Sequence, residues 1–181
     1  RTDTTDNWYW VYKYVDGTLD YLHLNLINPK ADLTLGTYGF TTATTITNLG
    51  YGNTHPITAY CFAEKQGYSK FGQYVGNGNV DGTFVYTGFK PAFVMIKRTD
   101  NARNWVMFDN KRDPDNPVRD YLAANTTAAS AQTDVFDFLA NGFKVRIGTG
   151  SGANNSTDTN IYMAFAEHPF VGDGTSPVTA R

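Results

Sequence analysis

The sequence predicts an all-β chain built as tandem antiparallel β-sandwich modules of jelly-roll type, the first truncated at its N-terminus. Three observations carry this. Short runs of aromatic and β-branched residues recur between turn signals, and no long stretch keeps a helical period. Of the 181 residues, 15% are aromatic and only 18% charged. The missing charge is replaced by Thr, Asn, Gly and Tyr, which suit strands, turns and contact surfaces. Third, the chain repeats itself. Arg1-Thr2-Asp3 returns as Arg98-Thr99-Asp100, Asn7-Trp8 as Asn104-Trp105, Tyr21-Leu22 as Tyr121-Leu122, and Phe62-Ala63-Glu64 as Phe165-Ala166-Glu167. The order is kept, and the spacing drifts from 97 to 103, which small loop insertions absorb. A unit of about 100 residues is the size of a small two-sheet sandwich. The expected division is a first repeat at 1–67, a second at 68–170 and a tail at 171–181. The alternative is one larger jelly roll whose halves are the two copies.

Each element has its own justification. Trp8-Tyr9-Trp10-Val11-Tyr12-Lys13-Tyr14 is dense in strand formers, and Asp16-Gly17 signals a turn. In 21–26, Leu22, Leu24 and Leu26 alternate with Tyr21, His23 and Asn25, the period of a half-buried strand. Thr44–Thr47 is a short strand, and Ile57–Ala63 closes the first copy. Lys70–Val75, Thr83–Tyr86, Ala92–Lys97 and Trp105–Phe108 follow as strands, with Pro91 marking a strand start because it cannot donate to a ladder. Gly76-Asn77-Gly78-Asn79 and Asp113–Pro117 are loops. Ala123–Ala131 is Ala-rich but is read as loop. Val135–Leu139 and Phe143–Ile147, joined by Asn141-Gly142, form a hairpin, and Ile161–Ala166 closes the second copy. Arg98 follows an apolar strand, whereas Arg1 stands at the equivalent point without one. The first copy is therefore expected to lack its opening strands, leaving a sheet edge for a neighbouring subunit to fill.

Several function classes are excluded or disfavoured. A net charge of −2 with no basic run leaves no electrostatic footprint for nucleic acid. No stretch approaches the roughly 18 apolar residues of a membrane-spanning helix. The single cysteine, Cys61, excludes a disulfide framework within the chain. Its repeat counterpart is Ala164, so it reads as a small core residue. His23, His55 and His168 have no metal-ligand spacing. Asp113, Asp115 and Asn116 lack the glycine and distal glutamate of a helix–loop–helix calcium site. Glu64 and Glu167 are a paired-carboxylate candidate for glycoside hydrolysis. Their repetition instead suggests a fold role, accepting backbone N–H groups at a sheet end. No catalytic residue, metal or cofactor is expected. Trp8 and Trp105 are expected in the core. Alternation places Trp10, Tyr12 and Tyr14 on one face, the best candidates for contact with a sugar or protein surface.

Lys65–Gly72, Tyr74–Gly78, Phe84–Arg98 and Ile161–Glu167 together resemble an uncharacterised repeat domain of virion proteins from marine tailed bacteriophages. Residues 57–170 are the strongest part, and 170–181 resembles the family's usual C-terminus. The resemblance implies a concanavalin A-like or laminin G-like β-sandwich in a tail-fibre or structural protein on the particle surface. It implies no catalytic residues. The expected function is adhesion to a host surface glycan or protein, or fibre building, in a homo-oligomer such as a trimer or with other virion proteins. The alternatives are a capsid or tail decoration protein and, third, a polysaccharide depolymerase.

Overall fold

The computed structural model describes residues 5–12, 16–33, 58–150 and 152–169, with 133–135 described by backbone alone. Expectations for Tyr14, the Thr44–Thr47 strand, His55 and the tail at 171–181 lie outside the described residues.

The described chain is all-β. Three short strands, β1 (Tyr9–Tyr12), β2 (Asp20–His23) and β3 (Ala31–Asp32), make one antiparallel sheet in the order β1-β2-β3. Eight more make the other: β4 (Ser69–Val75), β5 (Phe84–Tyr86), β6 (Pro91–Arg98), β7 (Val106–Asp109), β8 (Val118–Ala123), β9 (Ala131–Leu139), β10 (Gly142–Val145) and β11 (Thr159–Ala166). Their order is β4-β11-β6-β7-β8-β9-β10-β5. Strands β6 to β10 form a meander. The closing strand β11 is inserted between β4 and β6, and β5 returns to the far edge.

The large sheet curls until it nearly closes into a barrel. Tyr74 on β4 meets Phe143 on β10 with ring centroids 6.1 Å apart, although these strands lie at opposite ends of the sheet order. The Thr83 hydroxyl donates to the Val75 carbonyl at 2.7 Å and stitches the two edges together. Curling follows from side-chain volume. Alternate residues Val94, Ile96, Phe108, Val118, Phe136, Phe138, Phe143, Val145, Tyr162 and Ala164 point inward and are buried. Phe136 touches Phe108 at 4.6 Å, and Phe143 stands edge-on to Tyr162 at 5.4 Å.

The outward residues of β4, β11, β6 and β7 are also apolar. Phe71, Met95, Ile161 and Met163 form a second core with Tyr12 and Leu22 of the small sheet. The small sheet therefore lies as an outer layer against the curled one. Trp105 is the centre of this layer and is 1% exposed. Its ring packs on Trp10 at 5.3 Å, and its Nε1–H donates to the His23 carbonyl at 2.9 Å.

Two expectations taken from the repeat are corrected here. Trp8 is 68% exposed although its counterpart Trp105 is buried. Cys61 is exposed although Ala164 is fully buried. For Cys61 the reason lies in the backbone around it. Residues 58–64 form no strand, unlike β11, which lies between two neighbours. They run irregularly, with Phe62 packing on Phe71 and Phe165. A local sequence can recur while the layer that covers it does not. The Asn141-Gly142 hairpin is also adjusted. Gly142 pairs with Leu139, so the two turn residues are Ala140 and Asn141. Gly142 serves close approach instead, since a Cβ there would overlap the Val85 carbonyl oxygen of β5.

Trp105→Ala should cost about 3–5 kcal/mol, because it opens a cavity between the sheets and removes the bond to His23. Urea denaturation measures this, and a loss below about 1 kcal/mol would contradict the packing described.

Candidate functional site

The repeat extends to individual hydrogen bonds. In the first copy the Trp8 amide donates to Asn25 Oδ1 at 3.0 Å, Asn25 Nδ2 donates to Asn7 Oδ1 at 3.1 Å, and the Leu24 amide donates to the Trp8 carbonyl at 2.8 Å. In the second copy the Trp105 amide donates to Asn125 Oδ1 at 2.9 Å, Asn125 Nδ2 to Asn104 Oδ1 at 2.9 Å, and the Ala124 amide to the Trp105 carbonyl at 2.9 Å. Each copy thus clamps the mouth of a hairpin, β1–β2 or β7–β8, with one asparagine amide. Strand pairing matches as well: Trp10 faces Leu22 across the first hairpin and Met107 faces Leu122 across the second. The equivalents Trp10 and Met107 both point into the interlayer core, so the hairpins meet through equivalent faces.

That meeting leaves an open cleft of about 520 Å³ between the two clamps. Asn25 lines it from the first copy, and Ala124, Asn125, Thr126 and Thr127 line it from the second. Trp8, whose side chain is exposed, is tied to the cleft residue Asn25 by its backbone amide. Sequence reasoning placed Trp8 in the core and singled out neither asparagine as a site residue. The signal was available, because Tyr21-Leu22 and Tyr121-Leu122 are each followed by an asparagine three residues after the leucine.

The aromatic face expected from alternation is placed differently. Tyr12 is buried and Trp10 half-buried, both against the large sheet. The outward face of the small sheet carries Tyr9, Tyr21 and His23 instead, with Tyr9 4.8 Å from the His23 ring. Burial lowers the His23 pKa, because desolvation disfavours the charged imidazolium.

Other polar groups are engaged by the fold. Glu64 accepts from the Phe71 amide at 3.3 Å and pairs with Lys70 at 2.9 Å. Glu167 pairs with Lys90 at 2.8 Å and accepts from Asn110 Nδ2 at 2.8 Å. Both carboxylates thus hold sheet ends, each with its own lysine. Asn154, fully buried, accepts from the Asn77 amide at 3.1 Å and donates to the carbonyls of Asn79 and Ile147 at 2.7 Å. The Gly-Asn-Gly-Asn loop is therefore pinned to the 148–158 segment. A smaller cavity of about 160 Å³ opens at the barrel mouth between Arg98, Arg103 and Gly152. Arg98 there is already paired with Asp158 at 2.7 Å and Asp100 at 2.6 Å.

Asp16, Asp20 and Asp32 bring carboxylate oxygens within 4.8 Å of one another. Lys30 Nζ lies 2.7, 2.9 and 3.4 Å from them, so the cluster carries its own cation. Burial raises the Asp20 carboxyl against the lowering pull of Lys30. Lys97 is fully buried, and its ammonium donates to the Ile27 and Arg98 carbonyls at 3.3 and 2.7 Å. Burial, aided by Arg98, depresses it to about 8.

Residues 1–169 match the family described as Domain of unknown function (DUF7483). The chain belongs to the DUF7483 family. The match spans both copies of the repeat, the whole curled sheet and the layer packed on it. No curated protein and no solved structure matches this chain.

Two outcomes follow from the geometry. Asn125→Ala should cost about 1–3 kcal/mol by leaving the buried Trp105 amide without its acceptor. Asn25→Ala, at an exposed clamp, should cost about 0.5 kcal/mol or less by the same urea titration. Lys97 gives a pH signature. In the unfolded chain it holds its proton to about pH 10.5, and in the folded chain only to about pH 8. Below pH 8 both states are charged, and folding bears the full cost of burying the ammonium. Between the two values the unfolded state binds more protons, so stability rises with pH. Relative to Lys97→Met, the parent chain should gain on the order of 3 kcal/mol across that window. A pH-independent difference would contradict it.

Proposed function

We propose that this DUF7483 chain is an adhesion and assembly module of a phage virion appendage, presented on the particle surface in an oligomer. One observation carries the reading: large aromatic side chains stand outward on a well-packed β-scaffold. Phe84 and Tyr86 are exposed on β5, while Val85 between them fills the barrel. Val75 is exposed on β4, whose edge meets β5 at the seam. Around Phe165, Phe62 and Tyr68 form a second partly exposed aromatic group. Apolar side chains in such rows favour contact with another macromolecule, because association removes their area from water. Their rigid mounting lowers the ordering cost of binding.

In this reading the work of the module is contact and not turnover. Several weak contacts in one oligomer add through effective concentration into firm attachment. The resemblance of 57–170 to tail-fibre-type virion domains supports the same use. The reading is tested by sedimentation of the purified chain and by flow cytometry of the labelled chain on bacterial cells. The expected results are a defined oligomer and saturable cell binding, with Phe84→Ser/Tyr86→Ser shifting the oligomer toward monomer. A monomer at high concentration that binds no cells would overturn it.

A further inference from the structure

We propose that the cleft between the two asparagine clamps binds neutral pyranoside saccharides, with the exposed indole of Trp8, the tryptophan of the first clamp, as their apolar partner. This deepens the adhesion reading and rests on it for its biological use. The cleft is an open depression of about 520 Å³, wide enough for one sugar ring to lie against its lining. Its lining is chemically narrow: two carboxamides, two hydroxyls and three methyl groups, with no ionised side chain. Such a lining complements a ligand rich in hydroxyls and without charge.

The carboxamides are set for that task. Each spends one N–H on its partner asparagine and one lone pair on a tryptophan amide. An asparagine has two N–H donors and two acceptor lone pairs, so each keeps one donor and one acceptor beyond the clamp. A donor and an acceptor held in one plane match neighbouring hydroxyls of a sugar ring. Because the clamps fix both amides before the ligand arrives, little side-chain entropy is lost on binding.

Trp8 supplies the apolar half. It is 68% exposed, whereas Trp105, in the same place in the same motif, is 1% exposed. The fold therefore keeps in water an indole that it buries in the other copy. An indole face accepts the C–H face of a pyranose ring and excludes water from it, and its N–H remains available for a hydroxyl. The two clamps meet because the hairpins pack through equivalent faces, so the site exists only where both copies are present.

The probes are methyl β-galactopyranoside, cellotriose and triacetylchitotriose, titrated into the whole ¹⁵N-labelled chain and followed by NMR. At least one should give saturable shifts of the Trp8 indole N–H and of the Asn25 and Asn125 side-chain amides, while the Trp105 indole stays fixed. Trp8→Ala and Thr127→Val should each weaken that binding by about tenfold, with the rest of the spectrum unchanged. No saturable shift with any of the three, or shifts undiminished in Trp8→Ala, would overturn the proposal. Cell binding without any saccharide shift removes the saccharide site and leaves the adhesion reading standing. Saccharide shifts without cell binding do the reverse.

Discussion

The buried indole of Trp105 joins the two sheets, and the arrangement of the rest depends on it. It packs on Trp10 in the core that also holds the outward methionines of the large sheet, and it bonds to the backbone of β2. A tryptophan buries on the order of 150–250 Å², the largest single contribution a side chain can make to such a layer. Its one polar atom has to find an acceptor when buried, and the His23 carbonyl provides it. That bond fixes the register between the layers as well as their contact. With the register set, Asn25 and Asn125 come to line one cleft.

The molecule uses one sequence motif in two environments. The clamps Asn7-Trp8-Asn25 and Asn104-Trp105-Asn125 have the same donors and acceptors at nearly the same distances. What differs is the cover. In the second copy, β7 is flanked by β6 and β8, and the small sheet lies over its outer face. In the first copy, β1 is paired with β2 among the described residues, and the Trp8 side chain stands in water. Local hydrogen bonding is encoded in the motif; burial is a property of the layer above it.

This separates what was legible in the sequence from what was not. Strand positions followed from alternation and turn signals: Tyr21–Leu26 anticipated β2, Ala92–Lys97 anticipated β6 with Pro91 at its start, and Ile161–Ala166 anticipated β11. Those patterns are local, so one chain shows them. Curling of eight strands onto one core was not legible, because it depends on Tyr74 meeting Phe143 across the whole sheet. Trp8 and Cys61 misled for the same reason, since repeat equivalence carries no information about neighbours. For Trp10 and Tyr12 the alternation was right about a shared face, but whether that face meets solvent or another sheet is a tertiary fact. The asparagines were legible in spacing, yet their meaning depended on seeing two hairpin ends side by side.

The most direct measurement of the central claim is a nuclear Overhauser spectrum of the native chain, read at the Trp105 indole N–H. Cross-peaks from that proton to Trp10, Leu22 and the His23 backbone, together with slow exchange with solvent, are the result expected of an indole bonded between layers. An indole proton that exchanges freely and shows no peak to any residue of the small sheet would contradict the account.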